Sequence, residues 1–159
     1  MDILDLLQDS FFAAIAAIGF GSISNIPFRS FSGCAILAAL GHTLRFILMK
    51  GCGWFVISGS FAGGLLIGLL SIPMSRQWRC PAEALSFPAL LPMIPGMYAY
   101  RSVQALTMCL QNEGMDSFVH YFHLFNYNWM VCVITIALMV IGVTLPIFMF
   151  RRNSFSATR

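Results

Sequence analysis

Two pairs of polar side chains interrupt apolar sequence, and each pair has helical spacing. Arg101 and Gln104 stand three residues apart, as do His42 and Arg45, so each pair shares one helix face. A guanidinium presents a fork of donors that matches a carboxylate, and a neighbouring amide adds another. The stretch leading to the first pair reads Ser86-Phe-Pro88-Ala-Leu-Leu-Pro92-Met-Ile-Pro95-Gly96-Met-Tyr98-Ala-Tyr100-Arg101. Each proline removes a backbone donor and obstructs the turn before it, so the three, followed by Gly96, predict a break in any helix here. A helix restarting near Gly96 offers free N–H groups and a positive dipole end. Pro92, Pro95, Gly96, Arg101 and Gln104 thus compose a candidate seat for a carboxylate. The plainer alternative is a kink that shapes packing, with Arg101 extending its head to a polar surface.

Composition sets the elements that must hold these groups. Of 159 residues, 58% are apolar or aromatic and 9% are charged, against roughly 25% charged in a soluble domain. Such a chain cannot cover itself with charge, and its natural solvent is the lipid bilayer. Segments at about 6–26, 31–49, 54–72, 83–110 and 129–150 are each apolar over the roughly 20 residues that a spanning helix needs. They are continuously apolar, whereas barrel strands alternate over about ten residues. The expected fold is all-α: a polytopic integral membrane protein with five transmembrane helices, the fourth broken by prolines, in a single domain over 1–159. Broken backbone at mid-bilayer persists only where protein surrounds it or it lines a polar cavity. Transporters use that arrangement for substrate and ion sites.

Arg45 falls well inside the second span, where an ionisable residue is a functional candidate by default. The only acidic residue credited to a span is Glu83, at the edge of the fourth. Arg45 and Arg101 are therefore expected to be neutralised by a substrate, a lipid head group or another subunit. The alternative for the second pair is that Arg45 reaches outward beside Lys50 and His42 is a packed, hydrogen-bonded histidine.

The third span carries Gly59, Gly63, Gly64 and Gly68, two small-residue pairs that let helix backbones approach closely. The sequence does not say whether that contact lies within the chain or with a partner. Between 112 and 128, Phe118, Tyr121, Phe122 and Phe125 recur at helical spacing, with Asp116 or Ser117 as a candidate cap. This predicts a short interfacial helix at about 116–126, anchored by aromatics at headgroup depth. Asn25 before Pro27 reads as a turn.

Basic residues collect on one side: Arg29, Arg76, Arg79, Arg151, Arg152 and Arg159. The other side has the acidic N-terminus, Lys50, Glu113 and Asp116. The positive-inside rule then puts the N-terminus outside and the C-terminus in the cytoplasm. The acidic start, with Asp2 and Asp5, does not read as a signal peptide, so the first span is expected to be retained. The net charge of +3 is too small to suggest nucleic acid. The five cysteines form no C-x-x-C pair and read as small apolar residues. His120 and His123 lack a third ligand, so no metal is expected. No nucleotide-binding or hydrolase motif is present, so neither a cofactor nor an enzymatic activity is expected.

Taken in order, Asn25-x-Pro27, Gly41-His42-x-x-Arg45 and Pro92-x-x-Pro95-Gly96 resemble the small subunit of the threonine/serine exporter family, over nearly the whole chain. The resemblance implies one half of a transporter whose other half is a separate, larger membrane subunit, in a bacterial cytoplasmic membrane. It implies export of threonine and serine, or of succinate in a two-subunit system, all carboxylates. His42, Arg45, Pro92, Pro95 and Gly96 are the motif positions it marks, while Arg101 and Gln104 rest on the physical argument. The alternative is a non-conducting subunit that assembles or stabilises another membrane protein, with the glycine face of the third span as its main feature.

Overall fold

The computed structural model describes residues 3–111 and 114–150, and every regular element in it is helical. Helix α1 spans Ile3–Ile23 and α2 spans Phe31–Phe46, continued by one π turn, Ile47–Gly51. Helix α3 covers Val56–Trp78, α4 Ala82–Leu90, α5 Gly96–Gln111 and α6 Met115–Met149. Four stretches are long and apolar enough to cross a membrane: α1, α2 with its flanking turns, α3 and α6. Glu113, Arg151, Arg152 and Arg159, used above to argue orientation, lie outside the described residues.

Two expectations change. The expected fourth span is two helices. Helix α4 ends at Leu90, a 3-10 turn covers Leu91–Met93, and α5 starts at Gly96. Pro88 is accommodated within α4, and the interruption contains Pro92 and Pro95. At about 1.5 Å per residue, neither α4 with 9 residues nor α5 with 16 reaches across a hydrocarbon core of about 30 Å. The second change concerns the expected interfacial helix and fifth span, which form one helix of 35 residues. No Gly or Pro stands between Asp116 and Trp129 to stop it. The two asparagines there bond back to their own helix: Asn126 Nδ2 donates to the Phe122 carbonyl at 3.1 Å and Asn128 Nδ2 to that of Leu124 at 2.7 Å.

The chain divides into two units, one up to Met93 together with the end of α6 from Leu138, the other from Ile94 to Ala137. In the first, small residues face inward. Helix α1 buries only Ala13, Ala17 and Gly21 and leaves Leu7, Phe11, Phe12 and Ile15 exposed. This inverts the pattern of a soluble helix. In lipid there is little hydrophobic gain in burying a large side chain, so close backbone approach decides the interface. The α3 glycines serve two neighbours. A Cβ on Gly59 would meet Met49 at 3.0 Å, and one on Gly63 would strike Met93 and the Gly41 carbonyl of α2. One on Gly64 would stand 2.7 Å from the Met139 carbonyl of α6, and one on Gly68 would overlap that of Val143. Each glycine pair is one turn apart, and the two pairs are rotated by one residue, which turns them to different partners. The contact left open by the sequence is therefore made within the chain.

Helix α1 ends where Asn25 takes a left-handed φ of 54°. Ile26 N–H donates to the Gly21 carbonyl at 3.4 Å and Asn25 N–H to that of Ser22 at 3.2 Å. This is the paired closure that satisfies the last carbonyls of a helix, and Pro27 then prevents its continuation.

The second unit holds α5 and the first part of α6. Helix α5 buries Ser102, Ala105 and Cys109 along one face. On α6, Phe118, Phe122, Phe125 and Trp129 form a ladder of rings with centroids 5.9, 6.4 and 6.3 Å apart. Tyr121 lies off that ladder.

Candidate functional site

In the first unit, the polar side chains inside α1 and α2 meet each other. His42 Nδ1 lies 3.0 Å from Asp9 Oδ2. A carboxylate only accepts, so an ionised Asp9 makes Nδ1 the donor. His42 is 8% exposed, and its other ring nitrogen, Nε2, is buried without a hydrogen-bond partner among the described residues. One residue on from the dyad, Ser10 Oγ and Thr43 Oγ1 approach to 2.7 Å. Each of these hydroxyls also reaches a carbonyl one turn back, Leu6 and Ala39, at 2.8 Å. Two hydroxyl protons cannot make all three bonds at once, so at most two of them are formed together. Asp9 was not singled out in the sequence although it falls within the first apolar stretch at 6–26. The signal was there, since an acid inside a span pairs with something.

Arg45 has a partner in the chain. Its Nη1 donates to the Met93 carbonyl at 2.8 Å, where the helix stops at the interruption. A carbonyl released by a broken helix costs several kcal/mol in lipid when unsatisfied, and a charged donor answers that need. Arg45 is half-buried and turned inward rather than reaching outward beside Lys50. Lys50 lies over the Phe46 ring, 5.7 Å from its centroid. The Met93 carbonyl takes one of the Arg45 donors without neutralising its charge, and the view that Glu83 is the only acid in a span is corrected by Asp9 within α1.

Pro92 ends up in the first unit, Pro95 and Gly96 in the second. The start of α5 is partly closed on itself: Gly96 N–H donates to the Ile94 carbonyl at 2.8 Å, and Tyr98 and Ala99 N–H to that of Pro95 at 3.0 and 3.3 Å. Fewer donors remain for an anion than an open helix start would leave. A Cβ on Gly96 would meet nothing.

Arg101 and Gln104 belong to the second unit, whereas His42 and Arg45 belong to the first. Arg101 and Gln104 line one cavity of about 380 Å³ with Ala105 and Met108 of α5 and Tyr121, Leu124 and Asn128 of α6. Arg101 is exposed and has no hydrogen bond or ion pair among the described residues. Among the described residues, the lining supplies one full positive charge and no negative one. Its neutral polar groups are the Gln104 amide, the Tyr121 hydroxyl and Asn128, whose Nδ2 is committed to the Leu124 carbonyl. The volume falls within the range of small-molecule pockets, about 300–1,000 Å³. Tyr121 and Asn128 were missed as site residues because the sequence grouped Tyr121 with the neighbouring phenylalanines. Its offset from the ladder becomes visible only once α6 is continuous.

A family model described as Threonine/Serine exporter, ThrE, matches residues 9–149. A curated but uncharacterized protein of Haemophilus influenzae is 38% identical over 100 residues, which is 63% of this chain. The chain spans about a third of the length of that relative. No solved structure matches the chain.

Proposed function

The chain belongs to the threonine/serine exporter family, and from that premise we propose that it is one subunit of a secondary transporter exporting a small carboxylate metabolite. The membrane exporter role follows from the family; the substrate, the partner and the residues below are our reading. The observation that carries it is the cavity on α5 and α6, where Arg101 and Gln104 lie one turn apart with Tyr121 and Asn128. A guanidinium without a partner among the described residues binds a carboxylate by paired hydrogen bonds. The amide and phenol then orient the rest of the molecule. With one positive charge and no negative one among the described lining residues, a substrate of net negative charge is favoured. A dicarboxylate such as succinate suits it better than zwitterionic threonine or serine, whose ammonium finds only neutral acceptors.

The larger partner is the other half of the transporter. The relative of which this chain covers a third has ample additional chain for such a half. Alternating access would come from movement of one half against the other in the bacterial cytoplasmic membrane, with the N-terminus outside and the C-terminus in the cytoplasm. His42 and Arg45 serve that cycle from the first unit, Arg45 by holding the end of the interruption at Met93. The alternative of a non-conducting assembly subunit loses its main feature, because the α3 glycines are taken up by α2 and α6.

The test is accumulation of labelled succinate and labelled threonine in cells lacking the chain, and after its restoration. Relief of accumulation by the wild type and not by Arg101→Ala, at equal membrane abundance, is the expected result. Full relief by Arg101→Ala would remove the cavity from the pathway. No change in either solute on deletion would remove the exporter reading for these substrates.

A further inference from the structure

We propose that Asp9 and His42 form a proton-binding site, with the proton taken up at Nε2 of His42; its place in a transport cycle rests on the exporter reading above. A buried polar nitrogen without a partner is rare, because leaving it unmet costs about 1–3 kcal/mol. Such a group calls for an explanation in function, in an unobserved water or in a bound ion. Here the two ring nitrogens are differentiated. Nδ1 lies 3.0 Å from the Asp9 carboxylate, and with Asp9 ionised the neutral ring is the Nδ1–H form. That leaves a lone pair on Nε2, with no donor among the described residues to meet it. Histidine takes up and releases protons under physiological conditions, and a single proton would complete this atom.

The charge balance favours a switch. With Nε2 bare, the dyad carries one negative charge. With Nε2 protonated, imidazolium and carboxylate form a neutral pair. The groups around the dyad are few. Helix α1 brings Asp5 and Asp9, α2 brings Cys34 and Arg45, and its π turn brings Lys50. Helix α3 has only Arg76, in its last turn, and α4 only Glu83, in its first. The 3-10 turn at Leu91–Met93 and the end of α6 bring no titratable group. Arg45 stands one turn from His42 on the same helix, so it is the cation that feels the change most directly. Its guanidinium holds the Met93 carbonyl at the interruption. A negative dyad pulls on that guanidinium and a neutral one releases it, which joins the protonation state to the broken segment.

Position also suits the role. Asp9 lies about 9 Å along α1 from Ile3, at about 1.5 Å per residue. Its side chain keeps 41% of its exposure while that of His42 keeps 10%. A proton therefore has a partly open carboxylate to arrive by and a buried base to rest on.

The experiment uses the full chain labelled with 15N-histidine in lipid nanodiscs, with His42→Gln assigning the signal among three histidines. Expected is an Nδ1–H ring whose Nε2 gains a proton on acidification. An Nε2–H neutral ring, or a signal unchanged on acidification, would overturn the site whatever the chain transports. The second arm measures efflux of labelled succinate and threonine from membrane vesicles of the native host, with and without an imposed pH gradient. Wild type and Ser10→Ala should be stimulated severalfold by the gradient. His42→Gln and Asp9→Asn should show a stimulation ratio near 1 at whatever rate remains. An unchanged ratio in both variants would show a structural strap between α1 and α2 and overturn the coupling. Absence of efflux in wild type would count against the exporter reading alone, since the spectroscopic arm reads the proton site independently.

Discussion

Arg45 and Arg101 are the same side chain in two units built on different terms. In the first unit, glycines and alanines bring α1, α2 and α3 close together, and Arg45 finds its acceptor there in the Met93 carbonyl. In the second unit, α5 turns Arg101 into a cavity where no described residue pairs with it. The comparison teaches that an arginine within a membrane protein is not by itself a ligand site. What decides is whether the chain supplies the acceptor. A satisfied guanidinium braces structure, whereas an unsatisfied one in a cavity remains available to an anion.

The comparison can be broken most sharply at the backbone contacts of the first unit. Gly68→Leu should abolish recovery of folded protein from detergent extracts, since even a Cβ there overlaps the Val143 carbonyl, and overpacking costs about 1–3 kcal/mol or more. Normal recovery would mean that α3 and α6 separate easily. The next test removes each arginine in turn. Arg101→Ala should lower export about 10–100-fold, the equivalent of a lost charged hydrogen bond of about 1.5–3 kcal/mol, and leave the thermal unfolding midpoint unchanged. Arg45→Ala should lower that midpoint through a loss of similar size, about 1.5–3 kcal/mol. The reverse pattern would invert the assignment. Smaller still, Ser10→Ala and Thr43→Val should each cost about 1 kcal/mol or less. Their double-mutant cycle should show weak coupling, because each hydroxyl retains a carbonyl of its own helix. Finally, Gly96→Ala should fall within about 1 kcal/mol of wild type in stability, as no atom opposes a Cβ there and alanine restricts the unfolded chain. A large loss of export without loss of stability would instead mark Gly96 as a moving part.

Much of the fold was legible because lipid imposes a simple rule on the chain. Apolar runs long enough to span must be helical, which identified α1, α2, α3 and the latter part of α6. The interruption was legible for the same local reason, in Pro92 and Pro95. Two stretches misled. Phe118 to Phe125 suggested a separate interfacial helix, yet whether a helix stops depends on a breaker, and none stands between Asp116 and Trp129. Pro88 suggested part of a break, but α4 begins only six residues earlier and tolerates it within its second turn. At the candidate sites, helical spacing correctly joined Arg101 to Gln104 on one face. It could not place Tyr121 and Asn128 beside them, because those residues come from a different helix.

The sequence by itself determined that this is a helical membrane protein, that it is interrupted around Pro92 and Pro95, and which family it belongs to. Each of these follows from local composition or from the order of short motifs. The tertiary structure alone decided the partners: Asp9 for His42, the Met93 carbonyl for Arg45, α2 and α6 for the α3 glycines, and Tyr121 with Asn128 for Arg101 and Gln104. The physical reason is that hydrogen bonds and close packing act over a few ångströms in space. Asp9 and His42 are separated by 33 positions in the chain, a distance over which spacing carries no information.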